Sequence, residues 1–184
     1  VAGDLNDIAN ALRLQGKLSE ALSTYFQALH IQEKILPAGH PILASKLNNI
    51  ALVLRDQGRL VEAARYMQQA LTIRRAALGE EHPKSLEAWI NLGGIHQRQG
   101  QSIEARQIYE RVLAVQEKNA EPIALARTRF VLATVLWSTE QERPRALLLA
   151  TAARGALSQL GEAGKTELGR VDAWLAEVKA VSSV

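Results

Sequence analysis

The sequence nearly repeats itself every 42 residues, and this period limits the possible folds more than any other feature. Residues 1–42 laid on residues 43–84 agree at about 19 positions, far more than unrelated segments would. A Gln-Gly pair begins at Gln15, at Gln57 and at Gln99, always at the same spacing. A period of this length is typical of one supersecondary unit copied in tandem, so the chain is predicted to form a repeat array.

The apolar spacing within one unit predicts two helices joined by a tight turn. In the second unit, positions i, i+3, i+4 and i+7 form one buried helical stripe of Leu47, Ile50, Ala51 and Leu54. Gly58 then supplies the left-handed position at which helices often end. The stripe of the next helix contains Leu60, Ala63, Ala64, Met67, Ala70 and Leu71. Each unit is therefore predicted to be a pair of antiparallel helices.

The connection between units carries a helix-start signal. The dipeptide His-Pro occurs at 40–41 and again at 82–83. Proline at the first helical position, behind a residue able to cap, is typical of a helix N-terminus. The preceding helices are expected to end near Leu36 and Leu78.

The fourth unit departs from this pattern. Its turn segment, residues 138–144, replaces the Gln-Gly turn and contains about one extra residue. A heptad-like apolar pattern from Lys165 to about Ala180 then predicts a terminal helix that caps the array. The buried stripes of the fourth unit are still recognisable in Leu132, Ala133, Leu136, Ala146, Ala150 and Ala153.

Several positions together resemble the tetratricopeptide repeat. A small residue on the first helix is followed by Ala on the second, then by an aromatic residue or Met, then by another small residue; in the first unit these are Ala9, Ala21, Tyr25 and Ala28. The 42-residue period, the Leu-Asn-Asn-Ile-Ala run and the His-Pro linker resemble in particular the repeats of the kinesin light chain type, which occur in bacterial and eukaryotic proteins. The resemblance implies an all-α fold, a right-handed α-α superhelix of about four helical hairpins plus a C-terminal cap helix.

The whole chain, residues 1–184, is expected to be a single array. The chain starts at a unit boundary without an initiator Met, and its C-terminal segment loosely resembles the ends of large bacterial signalling proteins. We therefore expect a C-terminal fragment of a longer, bacterial protein. The expected repeats cover about 1–41, 42–83, 84–122 and 123–160, with the cap helix at about 164–181.

Composition argues against several classes of function. The chain has no cysteine, which rules out disulfides, thiolate zinc sites and cysteine nucleophiles and favours the reducing cytoplasm. Its apolar runs are far shorter than the roughly 20 residues of a membrane-spanning helix, so no membrane is expected. A net charge of +3, from 22 basic and 19 acidic side chains spread along the chain, gives no basic block for nucleic acid. The histidines form no metal-like pairs, and the chain has no phosphate loop or nucleophile motif, so we expect no enzyme, no cofactor and no metal.

The first helices of such an array line a concave face on which polar residues recur. An Asn amide can pair with the backbone of an extended peptide whatever its side chains, and arginines would attract an acidic one. The alternative is that these residues are solvated or form hydrogen bonds between repeats. The candidate groove residues are Asn6, Asp7, Asn10, Arg13, Asn48, Asn49, Arg55, Asn91, Gln97 and Arg98.

We therefore expect a protein–protein interaction module that binds a peptide or partner domain in this groove, within a larger signalling or scaffold protein. Two alternatives stay open: a structural spacer or self-association element, and a regulatory domain attached to an enzyme domain outside this chain. The oligomeric state does not follow from the sequence. A chaperone-tail clamp of the type known in this family is disfavoured, since Glu87 stands where a clamp lysine is expected.

Two tryptophans occupy informative positions. Trp89 takes the place of Leu5 and Leu47 and is predicted to pack between helices. Trp137 lies beyond the core stripe of the fourth unit, where it is either an exposed anchor for a partner or, as we favour, packed against the unusual turn.

Overall fold

The computed structural model describes residues 2–182, and every regular element in that range is helical. The chain divides into two compact units, an N-terminal unit of residues 1–101 and a C-terminal unit of residues 102–184. The all-α prediction is confirmed. The helices are α1 (Ala2–Leu14), α2 (Leu18–Glu33), α3 (Pro41–Asp56), α4 (Leu60–Leu78) and α5 (Pro83–Arg98) in the N-terminal unit, and α6 (Ser102–Asn119), α7 (Pro122–Leu136), α8 (Arg143–Gln159) and α9 (Lys165–Ser182) in the C-terminal unit.

Two helical hairpins, α1 with α2 and α3 with α4, form most of the N-terminal unit. The second helix of each hairpin also packs on the first helix of the next, α2 on α3 and α4 on α5. Small residues lie where the helices approach most closely, because a larger side chain would force the packed pair apart. The side chains of Ala9, Ala21, Ala51 and Ala63 are fully buried, as the repeat pattern predicts.

The turn within each hairpin depends on a glycine in the left-handed conformation. Gly16 and Gly58 have φ values of 76° and 79°. In the second hairpin the N–H of Arg59 donates to the carbonyl of Leu54 at 2.9 Å, and the N–H of Gly58 donates to the carbonyl of Arg55 at 3.0 Å. These two bonds form a Schellman motif, which satisfies carbonyls that the end of a helix leaves unpaired.

A histidine caps the start of α3 and of α5. The His40 Nδ1 accepts a hydrogen bond from the backbone N–H of Ile42 at 3.2 Å, and the His82 Nδ1 accepts one from Lys84 at 3.1 Å. The proline that follows each histidine occupies the first helical turn. The predicted helix starts are confirmed, and both linker histidines have a structural role.

One predicted helix end differs from the structure. α4 ends at Leu78 as expected, whereas α2 ends at Glu33, three residues before Leu36. Pro37, which directly follows Leu36, disfavours helical conformation at Leu36, and the chain forms a turn instead. In that turn the Leu36 N–H donates to the carbonyl of Gln32 at 2.9 Å.

The C-terminal unit contains the divergent hairpin, formed by α7 and α8, with α9 packed on α8. A short 3-10 turn, Glu140–Glu142, precedes α8 in place of the glycine turn. Another, Gly161–Gly164, leads into α9. The predicted stripes are buried, and α9 adds Val171, Leu175 and Val178, each 8% exposed or less.

Trp137 is half-buried in an aromatic cluster of the C-terminal unit. Its ring centroid lies 5.6 Å from that of Trp174, edge to face, and the Phe130 ring centroid lies 5.9 Å from that of Trp174, also edge to face. The Arg143 guanidinium lies 5.3 Å from the Trp137 ring. Trp137, which directly follows α7, therefore contacts α9 through Trp174 and the start of α8 through Arg143. Among the described helices, none is both long and apolar enough to cross a membrane.

Candidate functional site

The first helices of the N-terminal unit are joined by hydrogen bonds between asparagine side chains. Asn49 Nδ2 donates to Asn6 Oδ1 at 3.2 Å, which links α3 to α1. Asn91 Nδ2 donates to Asn48 Oδ1, also at 3.2 Å, which links α5 to α3. Asn48 Nδ2 donates to Asn49 Oδ1 at 3.4 Å. We call this chain of four side chains the amide ladder, and the surface of α1, α3 and α5 that carries it the first-helix face.

The amide ladder uses much of the hydrogen-bonding capacity that the sequence suggested for a ligand. Asn48 is only 5% exposed, and both ends of its amide are engaged with other asparagines. Asn48 keeps one N–H and one oxygen lone pair outside these two bonds, but its burial leaves little access for a ligand. Hydrogen bonding between repeats, the alternative considered for these residues, is therefore present in the structure.

Some side-chain amides at the edges of the ladder have N–H groups that form no hydrogen bond with the described residues. Asn6 Nδ2 and Asn10 Nδ2, one turn apart on α1, have no hydrogen-bond acceptor within residues 2–182. Asn10 Oδ1 accepts a hydrogen bond from the hydroxyl of Tyr25. Burial raises the pKa of Tyr25 despite the opposing charge of Arg13, so the hydroxyl stays protonated and keeps donating. This fixes Asn10 with its two N–H groups turned away from that bond, available to a ligand carbonyl or carboxylate.

Two of the predicted arginines pair with one carboxylate that the sequence analysis did not single out, and the third contacts the backbone beside it. Arg13 Nε lies 3.0 Å from Asp56 Oδ2, and an Arg55 guanidinium nitrogen lies 2.8 Å from Asp56 Oδ1. Arg98 donates to the backbone carbonyl of Arg55 at 3.4 Å. We call these four residues the arginine cluster. Two of the three guanidinium groups pair with Asp56, and the third, that of Arg98, contacts only a backbone carbonyl within the described part of the chain. The cluster therefore keeps an excess of positive charge at the C-terminal ends of α1, α3 and α5.

The ionisation of Asp56 reflects this surrounding. Burial disfavours the charged carboxylate, but hydrogen bonds and charges from Arg55 and Arg13 outweigh the burial and lower the pKa of Asp56. The carboxylate is therefore charged at neutral pH and holds Arg13 and Arg55 in place. An acidic ligand would meet arginines that are already oriented.

The remaining predicted residues are Asp7, beside the amide ladder on α1, and Gln97, near the C-terminal end of α5. Asp7 is exposed on α1, and its charge acts on Lys46, a lysine of α3 that is only 7% exposed. Burial lowers the pKa of Lys46, and the Asp7 charge partly opposes this. Gln97 is half-buried on α5 beside Arg98. The face thus carries the opposite charges of Asp7 and Lys46 in its first half and the arginine cluster at the C-terminal ends of the helices.

The sequence contains a signal that could have revealed these contacts. Each bond across the first-helix face joins a residue to the one 43 positions later, as in Asn6 with Asn49 and Arg13 with Asp56. The repeat has a period of 42 residues, so neighbouring first helices meet one position out of register. Complementary side chains at a spacing of 43 would have identified both the ladder and Asp56. No cluster of three or more acidic or histidine side chains that could hold a metal occurs in residues 2–182.

Comparisons with known proteins agree with this architecture. The model of the tetratricopeptide repeat family matches residues 4–76, 42–118 and 85–159. No curated protein sequence matches the chain.

Among solved structures, BtubC (BKLC) from P. vanneervenii is similar with a TM-score of 0.77 and 20% identity. The match covers 88% of this chain but only 65% of BtubC. A Podosopora anserina protein described as a kinesin light chain with nearly identical TPR-like repeats has a TM-score of 0.74 and 22% identity, over 98% of this chain and 89% of its own. A single-substitution variant of that protein gives a TM-score of 0.74 and 21% identity over the same shares. At these identities the similarity concerns the fold alone.

Proposed function

The chain belongs to the tetratricopeptide repeat family, whose repeats generally mediate contacts between proteins, and on that premise we propose that it binds an acidic peptide segment of a partner protein across the first-helix face. The observation that carries this proposal is the arginine cluster, in which three arginines lie around a single carboxylate residue and Arg98 has no carboxylate contact of its own among residues 2–182. A carboxylate of the ligand would complete the pairing of the cluster. Bidentate guanidinium–carboxylate bonds are among the strongest polar contacts that a protein surface offers.

The amide N–H groups that form no hydrogen bond within residues 2–182 support the proposal that the rest of the ligand is an extended peptide backbone. Asn6 and Asn10 present N–H groups one turn apart on α1, the helix that also carries Arg13. A peptide whose acidic side chain meets the arginine cluster would place backbone carbonyls along this helix. The amide donors would bind the main chain, and the arginines would select for acidic side chains.

The test compares two peptides with three forms of the protein. The probes are fluorescein-labelled dodecapeptides of alternating Glu and Ser, or of alternating Lys and Ser, followed by fluorescence anisotropy. We expect the acidic probe alone to bind. Replacing Arg13, Arg55 and Arg98 together by Gln should weaken its binding by about tenfold or more, which corresponds to about 1.4 kcal/mol.

A charge-matched control separates this face from general electrostatic attraction. Arg59, Arg154 and Arg170 are exposed arginines that lie outside the first-helix face, and their replacement by Gln removes the same net charge. The control triple variant should bind the acidic probe as the wild type does. Equal weakening in both triple variants, or equal binding of both peptides, would contradict the proposal. Circular dichroism checks that each variant is folded.

A second candidate function, a structural spacer, is favoured by the amide ladder itself, which links three helices without any ligand. The substitution Asn6→Asp distinguishes a peptide-binding face from a spacer. A carboxylate oxygen at this position still accepts the hydrogen bond from Asn49, but the N–H donors of Asn6 are lost. A peptide-binding face should lose affinity for the acidic probe through this change. A spacer should show no change in any interaction. The adjacent substitution Asp7→Asn, which removes a negative charge, is the control and should keep or strengthen binding.

A further inference from the structure

A second surface of the N-terminal unit, formed without α1 or α5, contains a cleft of about 680 Å³. Such a volume is within the range of sites that hold a small molecule or a large side chain. The cleft is lined by the end of α2, the linker to α3, two turns of α3 and the outer side of α4. Its apolar lining consists of Leu36, Ala38, Leu43, Leu47 and Ile73, and its polar rim of Glu33, Arg65, Gln68, Gln69 and Thr72.

The next connection along the chain shows what the same repeat position can hold. One period further on, the position of Leu47 is taken by Trp89. The indole Nε1 of Trp89 donates to a carboxylate oxygen of Glu80 at 2.9 Å. The Arg75 guanidinium lies 5.8 Å from the indole ring and forms an ion pair with Glu80. This connection therefore supplies its own indole and holds it with a hydrogen-bond acceptor and a cation.

The connection that carries the cleft lacks all three of these groups. Where the next connection has Trp89, Glu80 and Arg75, this one has Leu47, Ala38 and Glu33. The side chain is shorter at the first position, the acceptor is missing at the second, and the cation is replaced by a carboxylate at the third.

The charges on the rim indicate what a ligand would carry. Glu33 is exposed and has no ion pair within residues 2–182. Arg65 lies with its guanidinium 5.3 Å from the ring of Tyr66, which itself meets Phe26 edge to face at 5.8 Å. Arg65 is therefore held by an aromatic pair, whereas Glu33 is open to a cation or an N–H donor.

We propose that this cleft binds a tryptophan side chain of a partner protein, next to a basic residue that pairs with Glu33. The indole fills the space above Leu43 and Leu47, as Trp89 does at the following connection, and Glu33 accepts hydrogen bonds from the ligand. This site is distinct from the first-helix face, since it uses α2 and α4 and pairs with its ligand through a carboxylate, that of Glu33.

The probe for this site is an acetylated and amidated tripeptide, Lys–5-fluorotryptophan–Lys. Its fluorine signal is free of interference because the tryptophans of the protein carry no fluorine. We expect a saturable shift of the fluorine resonance with a dissociation constant on the order of 1 mM, as suits a single anchored side chain. In nitrogen-labelled protein, the amide resonances that move should include those of Gly39 and Thr72, which line the cleft.

Transplanting the next connection into this one is the decisive variant. The triple substitution Glu33→Arg, Ala38→Glu and Leu47→Trp supplies an internal indole with its acceptor and cation. The probe should then fail to bind, with affinity reduced by about tenfold or more, while circular dichroism and thermal unfolding show a folded protein. Should the triple variant fold poorly, the exposed single substitution Glu33→Gln replaces it. Glu33→Gln should weaken the Lys-flanked probe several-fold and leave an Ala-flanked probe unchanged.

The proposal is overturned if the probe produces no shift up to about 10 mM, a range that would detect even a millimolar site. It is also overturned if the amide shifts map to other residues, or if neither the triple variant nor Glu33→Gln changes the affinity. The variant in which Arg13, Arg55 and Arg98 are replaced by Gln should bind this probe as the wild type does. Failure of the cleft and failure of the first-helix face are therefore separate results.

Discussion

The regular hairpin α3/α4 and the divergent hairpin α7/α8 reach the same arrangement of two packed helices by different means. In α3/α4 the turn is set by the backbone, with Gly58 at a φ of 79° and a Schellman pair of hydrogen bonds. The α7/α8 turn has no such glycine and is held by side chains: the Trp137 ring packs on Trp174, and Glu142 forms an ion pair with Arg106 at 2.9 Å. The repeat fold therefore needs a buried helix contact, whereas the turn chemistry can be exchanged.

The largest expected effect tests the part that the two hairpins share. Leu54, at the end of α3, and Leu136, at the end of α7, are both essentially fully buried. Leu54→Ala and Leu136→Ala should each destabilise the protein by about 2–5 kcal/mol, since lost transfer free energy and a residual cavity add. Chemical denaturation measures both values. Tolerance of Leu136→Ala alongside a large loss for Leu54→Ala would show that the divergent hairpin does not depend on the same core.

A pair of glycine substitutions should sharpen the contrast between the turns. Gly58→Ala places a side chain at a positive φ and should cost about 1–2 kcal/mol. Gly155 lies within α8 with nothing within 4 Å of an added Cβ, so Gly155→Ala should stabilise the protein by about 0.5–1 kcal/mol. In thermal unfolding, Gly58→Ala should therefore lower the melting temperature and Gly155→Ala should raise it. Two changes of the same sign would mean that backbone conformation does not distinguish these positions.

A smaller effect, dependent on pH, should separate the charge pairs of the two units. The pKa of Asp56 in the folded state is lower than its ordinary value of 3.8. Its pairing with Arg55 and Arg13 therefore stabilises the protein at pH values above 3.8, and this stabilisation is lost as the pH falls through the folded-state pKa. Relative to Asp56→Asn, the wild type should be more stable by about 1 kcal/mol at pH 7, with the difference vanishing in acid.

Glu110 provides the corresponding comparison in the C-terminal unit. Burial opposes its ionisation, but hydrogen bonds from Arg145 and Arg106 outweigh it and lower the pKa of Glu110. Glu110 is more exposed than Asp56, so Glu110→Gln should show the same sign and a smaller difference. Urea titrations at several pH values measure both. A larger effect at Glu110 would reverse the order expected from burial.

The smallest expected effect concerns the ion pair at the divergent turn. Glu142→Gln removes one of the two carboxylates that pair with Arg106, the other being Glu110. It should cost about 0.2–1 kcal/mol at low salt, because both side chains of the lost pair are partly exposed. Added salt should reduce the difference between the variant and the wild type. A loss above about 2 kcal/mol would place this ion pair, and not the aromatic cluster, at the centre of the turn.

Particular residues show how far the sequence analysis reached. The hairpins, the glycine turns and the His-Pro helix starts were predictable, because each follows from residues within one repeat. The early end of α2 was missed, although Pro37 was the signal for it. The candidate site was predicted only as a set of polar residues. Which of them would bond to each other was not foreseen, since Asn6 with Asn49 and Arg13 with Asp56 lie on different helices.

The sequence by itself determined the repeat, because helix periodicity, small residues and turn glycines act over a few neighbouring positions and recur every 42 residues. Only the tertiary structure decided which polar groups remain open to a ligand. That outcome depends on the one-residue offset between neighbouring first helices. This offset pairs Asn48 with Asn91 and leaves the N–H groups of Asn6 without a hydrogen bond to any described residue. The outcome likewise depends on the size of Leu47 relative to Trp89, which leaves a cleft at one connection and fills the corresponding position at the next with an indole. The residues themselves can be read from the sequence, but which of them come within bonding distance and which leave space depends on how the helices pack.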